Sequence, residues 1–111
     1  MTDDARVYTA LSATGLKGTK IAWPLGNAPP LPWFTYQRSR GGEIHADNDN
    51  YIEFPRYVAE LYIRENDPEL VEEFGRAVRT IGPFSRREQW LTSENCMVYR
   101  FQFTLTPERG A

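Results

Sequence analysis

The sequence predicts an α+β fold: an antiparallel sheet of four to five strands with two helices packed on one face, in the order α-β-β-β-α-β-β. Three observations lead there. The segment from Asn95 to Thr104 alternates cleanly, with Met97, Tyr99, Phe101 and Phe103 against Val98, Arg100, Gln102 and Thr104, the two-residue period of a strand with two unlike faces. Between Asp67 and Gly82 the apolar residues Leu70, Phe74, Ala77, Val78 and Ile81 recur at three- and four-residue steps, the stripe of a helix on a core. Aromatic residues make up 14% of the 111 residues, which suits a small sheet or an interface.

Taken in order, Asp3 or Asp4 is expected to cap a first helix running to about Thr14, with Val7, Ala10, Leu11 and Thr14 inward and Gly15 as the stop. Lys20 to Trp23 reads as a short strand. From Pro24 to Pro32, four of nine residues are proline, which excludes both a helix and a central strand and predicts a stiff extended arm. Trp33 to Arg38 is strand-like and ends in a turn through Ser39, Arg40, Gly41 and Gly42. A polar, turn-rich stretch runs from Glu43 to Asn50. Tyr51 to Arg64 gives the longest strand signal, with Tyr57, Ala59, Leu61 and Ile63 on one face and Pro55 as an interruption, a bulge or an edge position. Asp67, Pro68 and Glu69 form a helix start of cap, first-turn proline and first-turn acid, and Gly82-Pro83 ends that helix. Strands Ser85–Thr92 and Asn95–Thr104 follow, joined by a tight turn at Thr92–Asn95. The helix stripe should cover the Tyr57/Leu61/Ile63 and Tyr99/Phe101/Phe103 faces. One domain spanning 1–111 is expected, with 106–111 a loose tail.

Composition narrows the function classes. Thirteen basic against fifteen acidic residues leave a net charge of −2, so no basic excess exists to neutralise a run of phosphates. No apolar run approaches the roughly 20 residues that span a bilayer. The acidic start has no apolar core of a secretory signal, and Cys96 has no second cysteine with which to form a bridge within the chain.

Motifs for chemistry are sparse. His45 is the only histidine, and it sits in a polar stretch where a solvated loop side chain is the ordinary outcome. Asp47-Asn48-Asp49-Asn50 resembles the start of a calcium loop, but the glycine and glutamate required at the sixth and twelfth positions are replaced by Ile52 and Val58. Cys96 should face away from Met97 as a packed thiol. No zinc spacing, dinucleotide fingerprint, Walker loop or nucleophile elbow is present. Arg86-Arg87 beside Trp90 makes a weak nucleic-acid patch and fits better as the charged guard of an edge strand. No catalytic, cofactor-binding or metal-ligating residues are assigned. Contact is the expected business of this chain.

The run Ala28-Pro29-Pro30-Leu31-Pro32-Trp33-Phe34-Thr35-Tyr36 resembles the Ala-Pro-x-x-Pro-aromatic strand opening of small tail-completion, or tail-terminator, proteins of long-tailed bacteriophages. Ala46-Asp47 before Tyr51, Glu60-Leu61-Tyr62 leading to Asp67-Pro68-Glu69-Leu70, and Trp90 with Ser93-Glu94 before Tyr99–Phe103 follow in the same order. The resemblance spans roughly Val7 to Leu105; the turn at Gly41-Gly42 and the proline at Pro55 depart from it. It implies a virion protein, made in the host bacterial cytoplasm. Such a protein forms a ring with itself, commonly a hexamer, and caps the head-proximal end of the tail tube. Its partners would be the tail tube protein and the head–tail connector or neck proteins, with no membrane and no sequence-specific nucleic acid, although DNA could pass through the lumen. The expected contact residues are Pro29, Pro30, Pro32 and Trp33 on the arm, Arg40, His45, Asp47 and Asn48 on the polar loop, and Arg86 and Arg87. The competing readings are a neck or head-completion protein of the same particle and, less favoured, a small ligand-binding or enzymatic domain using His45 and Asp47.

Overall fold

The computed structural model describes residues 2–24, 26–39, 54–64 and 66–107. In chain order the elements are helix α1 (Asp3–Ser12), strands β1 (Lys17–Lys20), β2 (Trp33–Arg38) and β3 (Arg56–Ile63), helix α2 (Pro68–Arg79), and strands β4 (Phe84–Leu91) and β5 (Cys96–Thr104). They form the expected α+β arrangement, with one sheet in the order β1-β2-β3-β5-β4 and both helices contributing to a core on one face. Strands β2, β3, β5 and β4 pair antiparallel. The departure is β1, which runs parallel to β2 with Lys17 opposite Trp33, so the sheet is mixed. Parallel neighbours need a connection that returns the chain to the starting end, and the proline-rich segment 21–32 supplies it.

Alternation along β3 and β5 sorts the two faces as the sequence indicated. Tyr57, Ala59, Leu61 and Ile63 are buried with Tyr99, Phe101 and Phe103. Against them α2 presents Val71, Phe74, Gly75 and Val78, the i, i+3, i+4, i+7 set. The predicted stripe is rotated slightly: Leu70 and Ala77 are partly buried margins, and Val71 holds the inward position. The Asp67 carboxylate accepts from the Leu70 amide at 3.1 Å, and Pro68 fills the first turn as expected.

Helix α1 differs at its start. Thr2, not Asp3 or Asp4, is the cap, its hydroxyl accepting from the Ala5 amide at 3.1 Å. Asp4 is engaged elsewhere: it accepts from the buried Tyr57 hydroxyl at 2.5 Å and pairs with Lys20 at 2.6 Å. These bonds tie α1 to β3 and to the end of β1. The helix stops at Ser12, and Gly15 takes φ +86° just beyond it.

The first strand also lies earlier than expected, at Lys17–Lys20 rather than Lys20–Trp23. Ile21 adopts φ +68°, a left-handed conformation that ends an extended run and is costly for a β-branched residue. Gly18 fixes the register here, because a side-chain carbon at this position would collide with the fully buried ring of Phe34. Strand β3 begins directly after Pro55, whose carbonyl accepts from the Leu105 amide at 2.8 Å; the proline bounds the strand instead of interrupting it. Residues 51–53 lie outside the described residues. The β4–β5 hairpin closes at Leu91 opposite Cys96, with Asn95 at φ +52°. Thr106 is held, its amide and hydroxyl donating to the Ile81 carbonyl at 2.9 and 3.1 Å, so the expected loose tail does not begin there. Residues 108–111 lie outside the described residues.

Two predictions follow from these contacts. Lys20 first, and the Tyr57 hydroxyl second, hold the Asp4 carboxyl below the ordinary aspartate value. Its stabilisation is therefore complete above the unfolded value, near 4, and is lost as pH falls through the lower folded value. Asp4→Asn should lower stability at pH 7 and flatten its decline as pH falls below the ordinary aspartate range, as followed by urea unfolding at stepped pH. Gly18→Ala should cost about 1–3 kcal/mol by forcing Phe34 to move, measured as a lowered denaturation midpoint with an unchanged far-ultraviolet spectrum.

Candidate interaction surfaces

The helices cover one face of the sheet. The other face is partly covered by the proline arm, and an aromatic row supports the arm there. Trp33 opens β2 opposite Tyr62 of β3, with ring centroids 4.4 Å apart. Trp23, at the start of the arm, meets Trp33 edge-on at 5.9 Å. Proline rings and indoles pack well because both are flat and rigid, and a proline-rich segment loses little further entropy when it is fixed. The arm thus borders a groove of about 580 Å³ whose walls include Trp23, Pro30, Leu31, Tyr62 and Leu91, with Cys96 in its lining. The Trp23 indole nitrogen is buried there without a hydrogen-bond partner among the described residues.

Of the residues singled out in the sequence, Pro29 and Trp33 are half-buried in this arrangement, while Pro30 and Pro32 are exposed. Arg40, His45, Asp47 and Asn48 lie outside the described residues. Arg86 and Arg87 sit on β4, the edge position at which a charged guard was expected. They do not form one patch, since neighbours on a strand point to opposite faces. Arg86 lies on the helix side, 5.9 Å from the Tyr99 ring centroid and 3.9 Å from Glu72. Arg87 lies on the other face opposite Arg100. Trp90, about half exposed, shares a side with Arg86.

On the open face Arg100 donates to one Glu60 oxygen from Nε and from a terminal nitrogen, at 3.1 and 2.9 Å. Burial, followed by the Glu60 charge, pushes the Tyr62 hydroxyl up to about 12, so it stays a neutral donor at physiological pH. Cys96 faces the open side, as expected, and is only 2% exposed. Burial and nearby Glu94 raise its thiol, which disfavours the reactive thiolate. Among the described residues no group of three or more His, Cys, Asp or Glu side chains converges to hold a metal ion, and no helix is long and apolar enough to cross a membrane.

The sequence reading missed the Asp4–Lys20–Tyr57 cluster and the role of Trp23. The cluster joins residues 53 positions apart, and no local spacing announces it. Trp23 carried a signal: an indole immediately before a proline arm that ends in a second tryptophan. No family model matches the chain, and no curated protein matches its sequence.

The arm and Cys96 can be tested together. Replacing Pro29 and Pro30 by glycine should loosen the groove and speed labelling of Cys96 by a thiol reagent about tenfold, through more frequent local opening. An unchanged rate would mean that the arm does not shield the thiol.

Proposed function

We propose that this chain is a structural ring subunit of a long-tailed bacteriophage, a tail terminator that caps the head-proximal end of the tail tube and docks it to the head connector. The observation that carries the reading is the pair of dissimilar outer surfaces on one small sheet. One is an open face bordered by a rigid proline–aromatic arm; the other is an edge strand, β4, exposed on both sides from Ser85 to Trp90. A closed ring of identical subunits joins two different surfaces of each copy, whereas a two-fold dimer uses one surface twice. A cap needs further asymmetry: one side binds the last tube ring, and the other must offer no surface that accepts another. The resemblance of the Ala28–Tyr36 segment to the strand opening of tail-completion proteins supports the same reading, because the structure places that segment at the arm and β2.

In mechanism, the stiff arm is the element suited to contact a neighbour, since ordering a proline segment costs less than ordering a flexible loop. Pro29, Pro30, Pro32 and Trp33 would make that contact. The polar segment carrying Arg40, His45, Asp47 and Asn48 would serve the tube or lumen side.

The test is electron microscopy of particles made with this reading frame disrupted. Overlong tails without heads, beside filled heads, are the expected result. Tails of normal length lying detached from heads would move the protein to the neck, and intact infectious particles would overturn a role in assembly.

A further inference from the structure

Strand β4 ends the sheet among the described residues, and all six positions from Ser85 to Trp90 are exposed. Its backbone therefore offers a row of donors and acceptors to another strand. Phe84, Arg86, Glu88 and Trp90 lie on the helix side, opposite Phe103, Phe101, Tyr99 and Met97 of β5, while Ser85, Arg87 and Gln89 lie on the open side. Arg87 and Glu88 make no ion pair among the described residues.

We propose that two copies of this chain pair through β4, antiparallel about a two-fold axis at Arg87, joining their sheets into one. An axis perpendicular to the sheet keeps like faces together and must pass through a residue position, so few registers exist. With the axis at Arg87, Arg86 of each copy stands opposite Glu88 of the other. Phe84 stands opposite Trp90, and Ser85 opposite Gln89. Two ion pairs and two aromatic pairs form on one face, both favourable when directly opposite. With the axis at Glu88, that carboxylate faces itself; with the axis at Arg86, that guanidinium faces itself and Phe84 faces Glu88. Like charges directly opposite destabilise a pair. The favoured register has one such contact, Arg87 against Arg87, on the exposed open face, where long side chains can splay into solvent. The same charges that guard the edge against unrelated strands thus complement a second copy.

This contact goes beyond the ring reading and does not depend on it; it uses the same edge strand that the ring reading assigns to a neighbour, so the two are alternative uses of β4. A two-fold contact cannot be the repeating contact of a single cyclic ring, so it describes the chain free in solution.

Sedimentation of the purified full chain between about 1 µM and 1 mM should show a monomer–dimer equilibrium. Glu88→Arg should weaken the dimer about tenfold, because two pairs become repulsive, and adding Arg86→Glu should restore it. In a Cys96→Ala background, Arg87→Cys should cross-link the dimer under mild oxidation, and Ser85→Cys should not. A monomer at every concentration overturns the proposal. So does an oligomer that Glu88→Arg leaves unchanged, or one that Ser85→Cys cross-links as readily as Arg87→Cys. If Glu88→Arg loses its folded circular-dichroism spectrum, the position-specific cross-link decides alone.

Discussion

The fold depends on where one ring goes. Phe74 of α2 lies 5.7 Å from Phe34 of β2 and 5.2 Å from Phe101 of β5, so it bridges two strands that flank β3. Phe101 in turn meets Phe84 of β4 edge-on at 5.2 Å. This chain of rings links the helix to three of the five strands, each contact adding about 0.5–1.5 kcal/mol beyond burial. The surrounding small residues follow from it. Gly75 leaves the Phe84 ring room to approach the helix, Gly18 leaves room for Phe34, and Ala59 holds a fully buried place on β3.

A core built so firmly on one face has a consequence for the other. The helices use the aromatic residues of β2, β3 and β5, and the open face keeps only what a short arm can cover. Trp33 and Tyr62 are the residues that make that cover possible, since they extend the aromatic packing through the sheet to its far side. Beyond the arm, the open face turns polar with Glu60, Arg100 and Arg87. The covered and uncovered parts of one face thus differ in chemistry, and so does the edge at β4. Such a molecule offers contacts of several kinds on one small frame.

Much of this frame was legible in the sequence because periodicity is local. The alternation of β5 and the spacing of α2 each place side chains on a face without reference to any other part of the chain. The Asp67–Pro68 start is equally local, since the cap bonds an amide three residues on. The misplaced elements are those decided by distant partners. The Ile21–Trp23 segment looks more strand-like than Lys17–Lys20, yet Gly18 against Phe34 and the pairing with β2 select the earlier residues. Asp4 looks like a cap, yet Tyr57 and Lys20 recruit its carboxylate and leave capping to Thr2. In both cases a long-range contact outweighed a local preference.

The candidate surfaces divide along the same line. Trp33 and its prolines stand out in sequence because their rigidity is intrinsic, whereas the separation of Arg86 from Arg87 becomes visible only once β4 is known to be a strand. Adjacent arginines suggest one basic patch, but a strand sends them to opposite faces, where Glu72 approaches one and Arg100 the other. A nucleic-acid strand lying on either face would meet one of these arginines and not both, which weakens phosphate tracking as the purpose of the pair. On an edge the same alternation has a different value. It places an opposite-sign neighbour, Glu88, two residues along on the Arg86 face, which is the spacing at which an antiparallel copy can answer charge with charge.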